Sequence, residues 1–348
     1  MQQDLGSILA YALYFIVLFA IGLYHMKDTG DMQSYMLGGR KIGPWVSAMS
    51  AEASDMSGWM LMGLPGYAYV AGVSAFWIAI GLALGTWLNW RFVAQRLRIY
   101  TKIANDSITL PDFFENRFND TSKILRIVSA VFIFIFFLIY TASGFVAGGR
   151  LFTTVFDISY VSSLLITAGI VIFYTFTGGY LAVCRTDFFQ GTLMFFAIIV
   201  VPVTGIMVAG GPAETISSLH ALNPNYFNMF TDATGLTLSF TAIASLIGWG
   251  LGYFGMPHIL VRYLSIKSEH EMRKSQIIGC SWILVILAMS AVVGVIGRQF
   301  LGEIDNENLV FVHMVRRLFP AFISGVLLSA ILAAAMSTAD SQLLASSS

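Results

Sequence analysis

Residues 50–66 read SAEASDMSGWMLMGLPG, and this stretch decides how the rest of the sequence is interpreted. Apolar residues flank it on both sides, yet it contains the carboxylates Glu52 and Asp55 together with three serines, three glycines and a proline. A continuous membrane helix would not contain this set of polar and helix-breaking residues. Irregular backbone at membrane depth is tolerated only where it lines a cavity, and broken helices of this kind are typical of ion-binding sites.

The composition indicates that lipid is the main solvent of the chain. Of its 348 residues, 57% are hydrophobic and 11% are charged, and the mean hydropathy is +0.76. Soluble domains carry about 25% charged residues. The formal net charge is zero, which gives no support for a nucleic-acid partner or a polybasic lipid-binding patch. The cysteines and histidines show no metal or redox spacing, and no obligate protein partner is indicated.

Hydropathy and helix-breaking residues predict nine membrane segments. The N-terminus lacks the basic region and cleavage site of a removable signal, so the first of them is expected to be a retained helix. The predicted bounds of segments 1 to 9 are 7–24, 43–71, 74–95, 125–153, 159–177, 188–209, 236–258, 275–298 and 320–345.

The distribution of Lys and Arg predicts the orientation of the chain. Of the 19 basic residues, all but four (Arg150, Arg298, Arg316 and Arg317) lie in one alternate set of connections. Cytoplasmic connections carry the excess of positive charge, which places the N-terminus outside. We therefore expect a multi-pass protein of the plasma membrane, the bacterial inner membrane. Because the last apolar segment runs to Leu344 with no polar tail behind it, we also expect the sequence to be a fragment of a longer protein.

Two groups of oxygen-bearing residues are candidates for a cation site. Asp55 is flanked by Ser54 and Ser57, and a break in segment 2 would free backbone carbonyls beside it. In segment 9, Ser337 and Thr338 stand three and four residues after Ala334, so that two hydroxyls and a carbonyl can face one point. Oxygen ligands with one carboxylate suit Na⁺ better than a transition metal. The alternatives are an Asp55 that caps a helix break, and hydroxyls that bond back to carbonyls of their own helix.

A stripe of large side chains in segment 7 is a candidate solute site. Trp249, Tyr253 and Pro257 are spaced four residues apart, which on an α-helix places them on one face. With Trp59 and Tyr140 they would line an apolar pocket for a compact zwitterion with an aliphatic ring. The alternative is that the stripe serves packing or an interfacial aromatic belt.

The sequence resembles the sodium/solute symporter family, and within it the members that carry proline. Residues 50–66 resemble the core signature of that family, and further matches follow in order along almost the whole chain. They are LGGR at 37–40, LPDF at 110–113, YTASG at 140–144, GWGLGYFG at 248–255 and SAILAAAMST at 329–338.

The resemblance implies an all-α polytopic fold of two inverted five-helix repeats, like the leucine-transporter type, with one extra N-terminal helix. The whole of 1–348 would form a single transport domain, with the extra helix at 7–24, a first repeat at about 43–209 and a partial second repeat at about 236–348. It also implies secondary active Na⁺-coupled symport of L-proline into the cell by alternating access. No nucleophile and base pair is visible, so we expect no enzymatic activity.

The resemblance further implies three sets of site residues. The Na⁺ set is Ala53, Asp55, Met56, Ala334, Ser337 and Thr338; the proline set is Ser57, Gly58, Trp59, Tyr140, Trp249, Tyr253 and Pro257; and the gating or coupling set is Arg40, Asp187 and Asp340. Asp340 departs from the family pattern, since many relatives have Ser there, and it would add a second cation or a polar helix end. A different small solute and a symporter-like membrane sensor module remain open as alternatives.

Overall fold

The computed structural model describes residues 5–26, 30–156 and 158–347, and within these ranges the chain is helical apart from turns and two isolated backbone bridges. The predicted all-α class is therefore confirmed. Six helices in these ranges are long and apolar enough to cross a membrane, and a bent pair, Phe240–Gly255 with Pro257–Ser265, makes a seventh span. Two of the six contain a chain reversal at a glycine, so that each supplies two spans.

Each predicted segment thus corresponds to one span in the described part of the chain, and the segment numbers are kept. Segments 1 to 3 are Leu5–His25; Pro44–Asp55 with Gly58–Leu61 and Gly63–Ala71; and Phe76–Asn89 with Trp90–Ala94 and Gln95–Ile103. Segment 4 is Ile124–Phe156, and segments 5 and 6 share Tyr160–Val208. Segments 7 to 9 are Phe240–Gly248 with Trp249–Gly255 and Pro257–Ser265; Glu269–Leu301; and Ala321–Ser346. Short helices at the two ends of the bundle are Met32–Leu37, Leu110–Phe118, Pro212–Leu222 and Val310–Leu318.

Gly179 reverses the chain between segments 5 and 6. The helix that contains both has 49 residues, and a straight helix of that length would be about 74 Å long, more than twice the thickness of the hydrocarbon core. Gly179 has φ 56° and ψ −156°, a conformation that only glycine adopts without strain. Segment 1 contacts both halves: the Phe19 ring lies 5.5 Å from the Phe173 ring, and the Tyr14 hydroxyl accepts a hydrogen bond from Gln190. The connection that was predicted between segments 5 and 6 is therefore a reversal of the chain direction at the single residue Gly179.

Gly72 has the same function between segments 2 and 3. Its φ is 68° and its ψ is −147°, and a side chain there would overlap the backbone oxygen of Tyr226. After the reversal segment 3 returns along segment 2, because the Trp90 indole donates to the Glu52 carboxylate at 2.8 Å.

The connections of the bundle meet at two ends. At one, which we call the basic end, the Arg40 guanidinium donates to the Leu264 carbonyl and Arg98 donates to the Ile266 carbonyl. At the opposite end the Tyr226 hydroxyl donates to the Ala68 carbonyl. Connections predicted to share a side of the membrane thus lie together, although Arg185, which was assigned to a connection, lies inside a helix. The orientation itself stays a prediction.

Segment 3 packs against segment 7 through glycines. A Cβ atom at Gly81 would overlap the carbonyl oxygen of Ile247, and one at Gly85 would overlap that of Gly250. Small residues let helix backbones approach closely in membranes. The non-α part of segment 7 is therefore held directly against the backbone of segment 3.

We predict that Gly85→Ala lowers the stability of the protein. Overpacking of a filled contact costs about 1–3 kcal/mol, and here the added methyl group would meet backbone rather than a flexible side chain. Gly169→Ala is the matched control, since that glycine lies on a membrane helix with nothing within 4 Å of the added atom. Thermal unfolding in detergent should show a lower midpoint for Gly85→Ala than for Gly169→Ala. Equal midpoints would mean that segments 3 and 7 are not in close contact.

Candidate functional site

Segment 2 breaks where the sequence predicts a break. Its first helix ends at Asp55, and Met56 leaves the helical region with φ −77° and ψ 71°. Ser57 is extended, and its hydroxyl caps the next helix by accepting the amide hydrogen of Trp59. The chain therefore crosses the middle of the bundle with two non-helical residues between Asp55 and Gly58.

Segment 7 is also broken, although its residue spacing predicts one continuous α-helical face. Residues Trp249–Gly255 form a 3₁₀ helix, Met256 is extended, and the α-helix resumes at Pro257 with a bend of 51°. The spacing of four predicts that Trp249, Tyr253 and Pro257 share one α-helical face. This prediction is wrong, because the backbone here is not α-helical. Tyr253 is buried whereas half of the Trp249 side chain is exposed.

The break in segment 2 faces the polar part of segment 9. The Ser337 hydroxyl donates to the Ala53 carbonyl at 2.9 Å and lies 3.3 Å from the Ala334 carbonyl. The Ala334 carbonyl also accepts from the Thr338 hydroxyl at 3.0 Å. Four of the six residues in the predicted Na⁺ set therefore meet at one point. Their oxygens are neutral and hard, which suits a cation such as Na⁺.

The back-bonding alternative is observed in the same place. Thr338 bonds to the carbonyl four residues before it, while Ser337 also reaches across to segment 2. Of the remaining Na⁺ candidates, Met56 lies in the break itself and Asp55 lies on the wall of an adjoining cavity. The described residues contain no cluster of three or more His, Cys, Asp and Glu side chains that would hold a transition metal.

The adjoining cavity has a volume of about 220 Å³, and four of its nine lining residues are aromatic. It brings together five of the seven residues in the predicted proline set, which come from three different segments. The indole rings of Trp59 and Trp249 are stacked 5.0 Å apart beside it. Drug-sized ligands occupy pockets of about 300–1,000 Å³, so this one suits a smaller solute. Its lining residues are Asp55, Met56, Ser57, Trp59, Leu82, Tyr140, Trp249, Tyr253 and Met256.

A larger cavity of about 640 Å³ continues from the small one toward the opposite end of the bundle. The two share Ser57, Trp59 and Tyr140, and the larger one is also lined by Gly58, Thr338 and Asn308. Toward the basic end there is a separate space of about 30 Å³, and this is the one that Pro257 lines. Pro257 is therefore not brought to the cavity that the aromatic residues of the predicted proline set line.

A buried polar cluster separates the site from the basic end. Its centre is Arg262, whose guanidinium pairs with Asp187 at 3.1 Å and donates to the hydroxyls of Ser50 and Ser341. Asp340 joins the cluster by accepting from Ser341. This Arg262 cluster also includes Tyr174, whose hydroxyl donates to Asp340 at 2.6 Å.

Asp187 and Asp340, two of the predicted gating residues, share a partner that was not predicted, Arg262. The predicted end of segment 7 at residue 258 places Arg262 in a connection. The helix in fact runs to Ser265, and Arg262 is completely buried. Two carboxylates around one guanidinium leave the cluster with a surplus of negative charge when both are ionised.

Arg40, the third gating candidate, lies outside both the site and the cluster. Its guanidinium donates to the carbonyls of Leu264 and Ser107 and pairs with Asp106 at 3.0 Å. Burial lowers the pKa of this guanidinium, while the Asp106 carboxylate opposes that shift. Arg40 thus joins three connections at the basic end.

Similarity to known proteins assigns the family of this chain. The sequence profile described as the sodium:solute symporter family matches residues 35–348. The chain belongs to the sodium:solute symporter family. Curated relatives in this family include the sodium/proline symporters of Staphylococcus aureus strains JH9 and COL. Each is 50% identical over 342 residues, which are 97% of this chain and 66% of the relative. The chain thus spans just under two thirds of their length.

Solved structures agree with the fold of a symporter of this family. The chain is similar to a Na⁺-coupled sialic acid symporter in a substrate-bound, outward-open state, with a TM-score of 0.84, 19% identity, and coverage of 99% of this chain and 73% of that one. It is also similar to the nucleobase-cation-symport-1 transporter Mhp1 in a closed conformation, with a TM-score of 0.54, 14% identity, and coverage of 89% and 66%. The predicted leucine-transporter-like architecture is confirmed by these similarities.

We predict that removing the cation of the Arg262 cluster lowers the stability of the protein more than removing one of its carboxylates. Arg262→Gln leaves two carboxylates buried together without a cation, and breaking a buried pair costs about 3–5 kcal/mol. Asp340→Asn removes the surplus carboxylate, keeps a side chain of the same size, and should cost far less. Thermal unfolding of the two variants measures the difference, and the double variant should recover part of the Arg262→Gln loss. An Asp340→Asn variant as unstable as Arg262→Gln would contradict this account of the charges.

Proposed function

We propose that the protein is a Na⁺-coupled symporter that carries L-proline across the plasma membrane by alternating access. The family assignment and the relatives at 50% identity support the class of activity. Since the chain spans 66% of those relatives, their solute and coupling ion are carried over as part of the proposal. The observation on which it mainly rests is the contact between Ser337 and the Ala53 carbonyl beside an aromatic cavity.

Na⁺ is proposed to bind between the break in segment 2 and segment 9. In that position it would replace the proton that Ser337 donates to the Ala53 carbonyl, and it would take the Ala334 carbonyl and the Thr338 hydroxyl as further ligands. The carboxylate of Asp55 lies on the cavity wall next to this point and would offset the cost of removing the ion from water.

Proline is proposed to occupy the cavity of about 220 Å³. Its ring is apolar and would contact Trp59, Trp249 and Tyr140, while its charged groups require the polar atoms at the break in segment 2. The Na⁺ site and the cavity share the non-helical backbone of residues 56–57. Binding of either one would therefore organise the other, and this coupling is reciprocal and of order 1–3 kcal/mol.

The larger cavity supports a proposal about the side of the membrane that the site faces. It opens toward the opposite end, which the distribution of basic residues predicts to be outside, and the Arg262 cluster lies between the site and the basic end. We propose an outward-facing state with the N-terminus outside. We also propose that segments 2 to 6 and the stretch from segment 7 onward are inverted repeats, since the broken segments 2 and 7 run in opposite directions.

The first test concerns the coupling ion. In the protein as its gene encodes it, Asp55→Asn should raise the half-saturating Na⁺ concentration for proline uptake by about tenfold or more, because a charge near a buried ion is worth more than ~1.4 kcal/mol. Ser337→Ala removes an oxygen that reaches segment 2 and should raise it about fivefold. Thr338→Ala should have a smaller effect, since that hydroxyl bonds within its own helix.

Ser329→Ala is the matched control for this series. Ser329 is buried in the same helix, and its hydroxyl donates to the Gly325 carbonyl of that helix. Its Na⁺ dependence should stay within about twofold of the unmodified protein. If Asp55→Asn had normal Na⁺ dependence while Asp340→Asn abolished it, the cation would belong to the other carboxylate.

The second test concerns the solute. Trp59→Ala, Tyr140→Ala and Tyr253→Ala each remove wall from the cavity, and a loss of about 100 Å² of apolar contact weakens proline binding by ~2.5 kcal/mol, near 70-fold. Trp87→Ala is the control, because that indole is half exposed on the outside of segment 3. Uptake of labelled proline over a concentration series gives the apparent affinities. Affinities within twofold of the unmodified protein for all three cavity variants would refute the solute assignment.

A further inference from the structure

The carbonyl of Tyr253 lacks the donor that an α-helix would provide. In an α-helix that oxygen accepts the amide hydrogen of the residue four positions later. Here that residue is Pro257, which has no amide hydrogen. An unpaired carbonyl at membrane depth costs several kcal/mol, so the donor must come from elsewhere.

Asn89 supplies this donor from segment 3. Its side-chain amide nitrogen donates to the Tyr253 carbonyl at 3.0 Å and to the Tyr263 hydroxyl at 3.0 Å. These two bonds use both hydrogens of the amide. Asn89 is completely buried, and it joins the 3₁₀ stretch of segment 7 to the α-helix that follows the bend.

The neighbours of Asn89 fix it in place. It is the last residue before a π-helical stretch, Trp90–Ala94, and the Trp90 indole is bound to Glu52 in segment 2. One turn earlier, Gly85 lies against the backbone of Gly250. Segment 3 therefore presents a face that is complementary to the 3₁₀ stretch and that ends in one amide aimed at the Tyr253 carbonyl.

We propose that Asn89 is a positioning residue for the solute site, acting through Tyr253 and Trp249 although its own side chain does not line the cavity. By fixing the Tyr253 carbonyl it sets the orientation of the 3₁₀ stretch, and with it the distance between the indole rings of Trp249 and Trp59. The inference rests on the proposed function for the identity of the solute. It predicts that Asn89 determines which ring sizes the cavity accepts.

The test is the variant Asn89→Ala in the protein as its gene encodes it, reconstituted in vesicles. The apparent affinity for proline should fall about tenfold, as expected when a buried acceptor loses its donor, while the half-saturating Na⁺ concentration should change less than threefold. Competition by the four-membered and six-membered ring homologues of proline should change relative to proline itself. A residue that serves packing alone would lower the amount of active protein without changing this selectivity, and that result would overturn the proposal.

Two further variants sharpen the measurement. Pro257→Ala restores an amide hydrogen at the position that would bond to the Tyr253 carbonyl in an α-helix. The double variant Asn89→Ala with Pro257→Ala should therefore lose proline affinity by a smaller factor than the product of the two single-variant factors. A double variant that shows the full product would overturn the proposal. Thr101→Ala is the control in segment 3, because its buried hydroxyl bonds to the Arg98 carbonyl of its own helix, and it should leave affinity and selectivity unchanged.

A measurement without transport separates this proposal from the proposed function. Asn89→Ala should speed amide hydrogen exchange in peptides that cover residues 249–256, whereas Thr101→Ala should not. If the unmodified protein took up no proline, the function would fail and faster exchange would still support the role of Asn89. If proline uptake were Na⁺-dependent but exchange, affinity and selectivity were the same in Asn89→Ala as in the unmodified protein, the function would stand and the proposal would fail.

Discussion

The structure depends on one constraint, which is that a backbone carbonyl freed at membrane depth needs a new donor. Segments 2 and 7 both break in the middle of the bundle, and each break is supported from a distant helix. Ser337 donates to the Ala53 carbonyl, and Asn89 donates to the Tyr253 carbonyl. A third such bond runs from the Ser290 hydroxyl to the Met60 carbonyl. The helices that surround the breaks are therefore structural supports for the same backbone that forms the site.

The two ends of the bundle differ in how the space between the candidate site and each end is filled. Toward the basic end, the Arg262 cluster fills the space beneath the site with charged and hydroxyl groups that are bonded to one another. Toward the opposite end, small and polar residues such as Gly144, Asn306 and Asn308 leave a wide cavity. The Arg262 cluster closes one side of the candidate site and the larger cavity leaves the other side open, so that a solute could reach the site from one end only. In the proposed alternating-access cycle, exposure of the site at the basic end would require the cluster to separate, because Asp187 and Arg262 lie on different segments.

The parts of the fold that were predictable from sequence are those encoded locally. The nine apolar stretches and the break in segment 2 follow from composition, since serines, glycines and a proline interrupt one short apolar run. The break in segment 7 was not predicted, because its aromatic residues fall at an α-helical spacing and its alternating glycines permit a 3₁₀ helix equally well. The partners of the site were also missed. Asn89 is 164 residues from Tyr253, and the helix that contains Arg262 extends beyond the predicted end of segment 7. Long-range donors of this kind are fixed by packing, which the local sequence does not contain.

The stacked pair Trp59 and Trp249 has an optical consequence. The two indoles belong to the two broken segments, and their ring centroids are 5.0 Å apart with an interplanar angle of 30°. Chromophores this close and skewed to each other couple their electronic transitions, and the coupling falls steeply with separation. We therefore expect the circular dichroism of the protein to contain a contribution from this pair that changes with the gap between segments 2 and 7. Changes in the distance between segments 2 and 7 could then be followed through these two side chains without an attached label.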